Sequence, residues 1–319
     1  MIKVFITIDT EIWCDGWQNI DKKFLDSFKK YIYGPTAQGD YGLPLQLKIL
    51  NDNNIKADFF TEPLFSLRFG NQPLVDIVEL IKSHDQNIEL HIHPEWIDEA
   101  INPIFRRPLT KTPFLRAFSI EEQTHLIKIG KELIINAGLS QVSAFRAGSY
   151  AANSDTLKAI ANNDIFIDSS YNRASEAGVA DIAIGTNLIQ PAHFEKVTIY
   201  PITFFSDKSR KTFRNLQITA CSSSELEFVL NHAFENNWDS VVIVSHSFEL
   251  LTPDKLKPNK VVTNRFIKLC EFLDKNRDRF ISCNMKNTPP PEFLKQPITP
   301  SSNRLRTFAR MCEQKIGTL

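Results

Sequence analysis

The sequence of 319 residues contains few cysteines, no C-x-x-C pair and no long apolar run. Its five cysteines are scattered and odd in number, which argues against a disulfide framework and thiolate zinc sites and favours a reducing compartment. No segment approaches the roughly 20 apolar residues of a membrane span. The N-terminus lacks the charged region, apolar core and cleavage site of a signal peptide. We therefore expect a cytosolic protein without a membrane span.

An excess of charge is also lacking, because 37 basic and 37 acidic side chains cancel. This balance argues against nucleic acid as the main partner. The hydrophobic share of 42% is enough for a large core. A chain of this length fits one α/β barrel or two smaller domains.

Strand-like and helical segments alternate along the chain, which predicts parallel strands joined by helical crossovers. Strands are predicted over residues 2–9, 55–60, 87–93, 142–145, 165–168, 197–200, 215–220, 241–246 and 280–283. Helices are predicted over residues 44–53, 73–84, 119–138, 153–163, 222–236 and 263–276. We predict a barrel domain over residues 1–286 and a Pro-rich linker with a peripheral C-terminal helix over residues 287–319.

Two histidines stand at the end of the third predicted strand. An apolar run ends in His91 and His93, and Pro94 stops the strand. Their side chains should therefore project from the same side of the strand's C-terminal end. Two imidazoles on the same face of a strand end are uncommon where they serve only to pack the core, so this pair predicts a metal site. Two nitrogen ligands do not complete a coordination sphere, so we expect a carboxylate from elsewhere in the sequence to supply a further ligand.

Other predicted strands also end in residues suited to catalysis. They are Asp9 and Glu11 after the first strand, Arg146 and Asp168 after the fourth and fifth, and His246 after a buried strand near the C-terminus. In a barrel of parallel strands these ends converge on one face. Each residue also has an ordinary interpretation: a loop-capping or turn acid, a buried ion-pair arginine, or a hydrogen-bonded core histidine.

Five short motifs occur in the order found in one enzyme family. They are residues 7–11 (TIDTE), 56–60 (KADFF), the His91/His93 stretch, 145–150 (FRAGSY) and 244–246 (VSH). Over about residues 1–285 the sequence thus resembles the polysaccharide deacetylases, also called carbohydrate esterase family four. The resemblance implies an α/β fold, a distorted (β/α)7 barrel of the polysaccharide deacetylase type.

The resemblance also implies roles for the candidate residues. In the family's first motif, two adjacent aspartates act as base and metal ligand, which makes Asp9 the base and Glu11 the ligand. The spacing Asp9-Thr10-Glu11 departs from that pattern, and the reverse assignment stays open. The family's metal-binding histidines are usually four residues apart, whereas His91 and His93 are two apart.

Two further roles follow from the same resemblance. Arg146 matches an arginine that orients the base, and Asp168 matches an acid that pairs with the general-acid histidine, here His246. Zinc or a similar divalent cation lowers the pKa of bound water from 15.7 to roughly 7. Asp9 could then accept the proton of the water, and His246 could protonate the departing amine.

Several side chains beside these motifs have two interpretations. Glu95, Trp96, Trp13 and Tyr150 could line a sugar site, because aromatic faces stack on pyranose rings. They could equally pack in the core or at its rim.

The predicted function is a metal-dependent hydrolase that removes the N-acetyl group from an N-acetylated sugar. With a cytosolic location, the expected substrate is a nucleotide-linked or lipid-linked precursor of a surface polysaccharide such as O-antigen or capsule. This would place the protein in lipopolysaccharide or related biosynthesis. The alternatives are another barrel metallohydrolase, such as an amidohydrolase or phosphoesterase, and a catalytically silent carbohydrate-binding or assembly protein.

Overall fold

The fold is built from strands that alternate with helices. A computed structural model describes residues 1–106, 108, 110–174, 181–182, 187–207, 212–289, 291–292 and 295–317. The strands are β1 (Ile2–Thr10), β2 (Pro35–Thr36), β3 (Gly39–Asp40), β4 (Ala57–Thr61), β5 (Asn87–Ile92), β6 (Ala144–Ala147), β7 (Ile167–Asp168), β8 (Ala192–Phe194), β9 (Val197–Ile199), β10 (Phe204–Asp207), β11 (Thr212–Asn215), β12 (Ser240–His246), β13 (Phe280–Ser282) and β14 (Ser301–Ser302). The helices are α1 (Ile20–Phe28), α2 (Leu43–Asp52), α3 (Ser66–Phe69), α4 (Gln72–Ser83), α5 (Ile120–Asn136), α6 (Ser154–Ala161), α7 (Ser223–Glu235), α8 (Lys260–Lys275) and α9 (Arg304–Gly317).

The main sheet is parallel and curls into a half-barrel. Its parallel strands within the described ranges run in the order β12-β1-β4-β5-β6-β7-β9, with β8 antiparallel at one edge and β13 beside the start of β1. This is the predicted α/β architecture, in which parallel strands joined by helical crossovers curl toward a barrel. The strand predicted over residues 215–220 is wrong, because β11 ends at Asn215 and the chain turns before α7.

The two faces of the sheet bury different sets of side chains. On β1, Val4, Ile6 and Ile8 belong to the large core between the sheet and the helices. Phe5 belongs to a second, smaller core cluster with Phe60, Val242 and Val244. Because side chains alternate along a strand, this second cluster marks the concave face of the curled sheet.

Local sequence signals determine where several helices begin. Ser119 accepts a hydrogen bond from the Glu122 backbone N–H, and the Glu122 side chain accepts one from the Ser119 backbone N–H. This reciprocal pair is the predicted capping box at the start of α5. Asn153 with Thr156 and Ser222 with Glu225 cap α6 and α7 in the same way. These caps fix the direction of the helices that cover the sheet.

The C-terminal helix α9 contacts α7 and α8. Its Arg310 is buried and donates a hydrogen bond to Asp207 of β10 at 2.8 Å. The boundary predicted between residues 286 and 287 stays a prediction. The five cysteines all lie in described residues and carry free thiols. None of the helices in those residues has the length and apolar character that a membrane crossing requires.

Candidate metal centre and active site

The concave face of the sheet carries the candidate site at the carboxyl ends of its strands. On β1 the alternation that buries Phe5 inside the half-barrel also directs Thr7 and Asp9 inward. Asp9 lies opposite His246 in the β1–β12 register, and His91 lies opposite Arg146 in the β5–β6 register. Register partners in a parallel sheet face the same side, so these four side chains converge.

Glu11, His91 and His93 form a buried cluster of potential metal ligands. The Glu11 Oε2 atom lies 2.7 Å from His93 Nε2 and 3.5 Å from His91 Nε2. The two Nε2 atoms are 3.1 Å apart. One ligand atom from each residue lies within 4.8 Å of the others. The structure thus brings together all three predicted ligands, and both histidines reach a common point despite their short spacing.

The outer nitrogen of each histidine faces an oxygen atom, and in His91 the distance is that of a hydrogen bond. His91 Nδ1 lies 2.9 Å from the Arg146 backbone oxygen, which can only accept a hydrogen bond. Nδ1 therefore carries a proton, and Nε2 is directed toward Glu11. His93 Nδ1 lies 3.6 Å from Glu95 Oε2. The sequence suggested Glu95 only as a possible sugar contact, whereas the structure places it behind a candidate ligand.

Electrostatics also favour a cation at this cluster. Burial raises the pKa of Glu11, but the His93 charge and hydrogen bonds from both histidines outweigh it and hold that pKa well below its usual range. Burial lowers the pKa of His93, but the charge of Glu11 and its hydrogen bond raise it to about 10. A cation can replace the proton shared by these groups. Two imidazoles and one carboxylate, with an orienting partner on the outer nitrogen of His91, are a donor set that fits zinc.

Asp9 is held by a buried arginine. Arg146 Nη1 donates to Asp9 Oδ1, and Nη2 donates to Thr7 Oγ1 at 2.9 Å and to Ser169 Oγ at 3.0 Å. The guanidinium carbon lies 4.2 Å from the centre of the Phe60 ring. Arg146 is therefore fixed in place and leaves the other Asp9 oxygen directed toward the site.

His246 faces that second oxygen of Asp9. Its Nε2 lies 3.9 Å from Asp9 Oδ2, while its Nδ1 lies 2.8 Å from Glu249 Oε1. Ser245 Oγ donates to Glu249 Oε2 at 3.0 Å, and Gln217 Nε2 donates to Glu249 Oε1. Burial lowers the pKa of His246, but the Glu249 hydrogen bond and charge raise it to about 9. The side chain is thus a cationic proton donor at neutral pH.

Asp168 does not pair with His246, and this part of the sequence interpretation is corrected. In the β6–β7 register Asp168 lies opposite Phe145, which packs in the core on the helical side of the sheet. Its carboxylate accepts hydrogen bonds from the Ser170 backbone N–H at 2.8 Å and from Ser170 Oγ at 2.6 Å. Glu249 takes the position next to His246 instead. The local spacing His246-Ser247-Phe248-Glu249 was the available signal.

The aromatic candidates separate into core and rim residues. Trp96 is 1% exposed and packs in the core, so it cannot stack on a sugar. Trp13 is half-buried, and its ring centre lies 4.7 Å from that of His93 at an interplanar angle of 83°. Trp17 contacts Trp13 edge to face. Trp13 therefore borders the candidate metal centre, whereas Trp96 packs in the core, with its ring centre 5.0 Å from that of Trp17.

Comparisons with known proteins identify the fold. No protein-family model matches the sequence, and no curated protein matches it. A solved structure of a protein assigned as a polysaccharide deacetylase from Mycobacterium smegmatis superimposes with a TM-score of 0.55 at 14% identity, covering 93% of this chain and 94% of that one. A family 4 carbohydrate esterase from Streptomyces lividans, in complex with acetate, gives 0.45 at 10% identity over 93% and 97% of the two chains. A family 4 pseudoenzyme from Bacillus anthracis gives 0.42 at 12% identity over 88% and 62%.

Proposed function

We propose that this chain, which has the polysaccharide deacetylase fold, is a metal-dependent hydrolase that removes the N-acetyl group from an N-acetylated sugar. One observation carries the proposal. A candidate ligand cluster, an arginine-held carboxylate and a carboxylate-held histidine meet at one end of the sheet, with Asp9 Oδ2 and His246 Nε2 3.9 Å apart. These are the groups that amide hydrolysis needs: a base, an acid and a place for a cation.

Glu11, His91 and His93 would hold the cation, with zinc as the proposed metal. When bound there, a divalent cation supplies Lewis acidity that makes water a better nucleophile and polarises a carbonyl group. Trp13, whose ring lies 4.7 Å from that of His93, walls the centre on one side.

Asp9 is the proposed general base. Arg146 binds its Oδ1, so Oδ2 is the oxygen that accepts a proton from the attacking water. The guanidinium keeps the carboxylate in one orientation through several fixed contacts, including the Thr7 hydroxyl at 2.9 Å. A positioned base of this kind typically contributes about 10²–10⁴ in rate.

His246 is the proposed general acid. Its Nδ1–H is engaged by Glu249 at 2.8 Å, which directs the Nε2–H toward the site. An amine is a poor leaving group unless its nitrogen is protonated, and the raised pKa of about 9 keeps that proton available at neutral pH. The carbon–nitrogen bond then breaks to give acetate and the free amino sugar. The cytosolic location and the identity of the substrate as a surface-polysaccharide precursor remain parts of this proposal.

The test measures metal content and acetate release together. Purified protein is analysed for bound zinc and other divalent metals, then incubated with N-acetylated sugars, nucleotide-linked N-acetylated sugars and phosphate esters. We expect acetate from the acetylated substrates, no acetate with Asp9→Asn despite retained metal, and loss of metal with Glu11→Gln. Phosphate release alone would favour a phosphoesterase. Bound metal without release of either product would overturn the proposal and favour a silent carbohydrate-binding protein.

A further inference from the structure

The hydroxyl of Tyr150 is buried and has no hydrogen-bond partner in the described part of the chain. Its ring packs against the concave-face cluster that contains Phe5 and Phe60. A buried hydroxyl without a partner destabilises a fold, because it loses its hydrogen bonds to water and gains none. Such a group in a candidate active site is a reason to look for a ligand that would pair with it.

The backbone that carries Tyr150 is strained. Ser149 and Tyr150 have φ values of 54° and 58°, so two successive residues other than glycine occupy the left-handed region. Gly148 precedes them, and a Cβ atom at that position would lie 2.7 Å from His93 Nδ1. The turn therefore runs directly past a candidate metal ligand. Strain of this kind concentrates at sites where it positions a functional group.

The charges around the hydroxyl belong to the candidate active site. Those that act on it are Asp9 first, then Arg146, Glu249 and Glu11. Burial and the Asp9 charge raise the pKa of Tyr150, so the phenol keeps its proton. It is therefore a hydrogen-bond donor without an acceptor, on the same face as the proposed base and acid.

We propose that Tyr150 is a catalytic residue whose hydroxyl donates a hydrogen bond to the acyl oxygen of the substrate. This inference rests on the proposed deacetylase function. As water adds to the carbonyl carbon, negative charge develops on that oxygen, and a donor already in place stabilises it more than it stabilises the ground state. The hydroxyl keeps its proton throughout, while Asp9 accepts the proton of the water and His246 supplies the proton of the amine.

Tyr200 provides a matched control within the same molecule. Its hydroxyl is also buried without a hydrogen-bond partner in the described residues, and its ring packs in the same concave-face cluster, with its centre 5.0 Å from that of Phe5. The groups that act on this hydroxyl are Asp239 and Cys283, which are not part of the candidate site. The two tyrosines thus differ chiefly in what their hydroxyls face.

The experiment compares Tyr150→Phe with Tyr200→Phe in the full, metal-loaded chain. Steady-state kinetics on the best N-acetylated sugar should show kcat lowered about 10²- to 10³-fold for Tyr150→Phe, with KM within about threefold. Tyr200→Phe should keep the kcat of the wild type. Both variants should retain bound metal and unfold at the same or a higher urea concentration, because each loses a buried unpaired hydroxyl.

Each other outcome counts against a specific statement. An inactive wild type would overturn the proposed function and this inference with it. If the wild type is active and Tyr150→Phe has the same kcat, the inference alone is overturned. Equal loss of kcat in both variants, or a lower unfolding midpoint for Tyr150→Phe, would assign the hydroxyl a structural role. If the rate of Tyr150→Phe recovers at higher pH, the loss of rate arises from the base Asp9 and not from a missing hydrogen bond to the acyl oxygen. This result would likewise overturn the inference.

Discussion

Glu249 Oε1 lies 2.8 Å from His246 Nδ1, and the two residues are three positions apart in the chain. Glu249 is itself 6% exposed and accepts hydrogen bonds from Ser245, Gln217 and Thr219. The histidine therefore takes its orientation from a carboxylate in the turn after β12, which residues 217–219 also bind, and not from Asp168 at the end of β7. This relationship makes the protonation of His246 depend chiefly on Glu249, with smaller contributions from the charges of Glu11 and Asp9.

We expect Glu249→Gln to move the basic limb of the pH–rate profile to lower pH. The pKa of His246 is raised to about 9, so its acid form is present below that pH and is lost as pH rises through it. Without the Glu249 charge, the pKa should fall by more than about one unit. The measurement is kcat/KM from pH 6 to 10, with an NMR titration of His246. Asp168→Asn should leave the limb in place, and an unmoved limb in Glu249→Gln would contradict the assignment.

Metal binding should release a proton. Without a cation, His93 shares a proton with Glu11, and its pKa is raised to about 10. A ligating imidazole must be neutral, so affinity should rise about tenfold per pH unit below that value. Calorimetry with zinc at pH 7 in buffers of different ionisation enthalpy should give about one proton per ion. His93→Gln should abolish the release, and proton-free binding by the wild type would contradict this account.

Gly148→Ala should weaken metal binding without touching a ligand. The added Cβ would lie 2.7 Å from both His93 Nδ1 and the Ile92 backbone oxygen, so the ring must shift. Displacing a ligand through its neighbour typically costs about 10- to 100-fold in metal affinity. Competition with a zinc chelator measures the change. Ser149→Gly, which removes atoms from the same turn, should keep the affinity of the wild type, and equal affinities for all three proteins would refute the steric argument.

Arg146→Met should destabilise the fold more than Asp9→Asn does. The methionine leaves Asp9 as a buried carboxylate without its partner, which typically costs about 3–5 kcal/mol in the free energy of unfolding. Urea denaturation of the two single variants and the double variant forms a cycle. The double variant should recover part of the loss, because no charge is then left unpaired. Strict additivity would show that the pair does not interact.

The period of two along the strands explains how far the sequence could predict the site. Asp9, His91, Arg146 and His246 stand at strand ends where the alternation and the parallel register put them on one face. Asp168 belongs to β7, a strand of only two residues, and its side chain lies on the same face as that of Phe145, opposite to the face that carries the site. In so short a strand, an error of one position in the predicted pattern assigns a side chain to the wrong face. A strand that short carries too little pattern to fix which face each residue takes.

Two other features of the site could not be predicted from the sequence and were recognised only in the structure. Glu249 follows β12 in a loop, where the strand period no longer applies and hydrogen bonds decide the direction of the side chain. The left-handed backbone at Ser149 and Tyr150 carries no sequence signal, because neither residue is a usual choice there. The parallel α/β architecture could be predicted from the alternation of strands and helices, because long buried segments such as β12 have a clear pattern, whereas the barrel type was predicted from the family resemblance.

The hydrogen bond from Thr7 Oγ1 to the Ile243 backbone oxygen joins residues 236 positions apart. On its other side, Thr7 accepts from Arg146, which in turn holds Asp9. A growing polypeptide on the ribosome therefore has no complete reaction centre until β12 has emerged and docked beside β1. Chains that end before β12 should therefore lack the proposed activity.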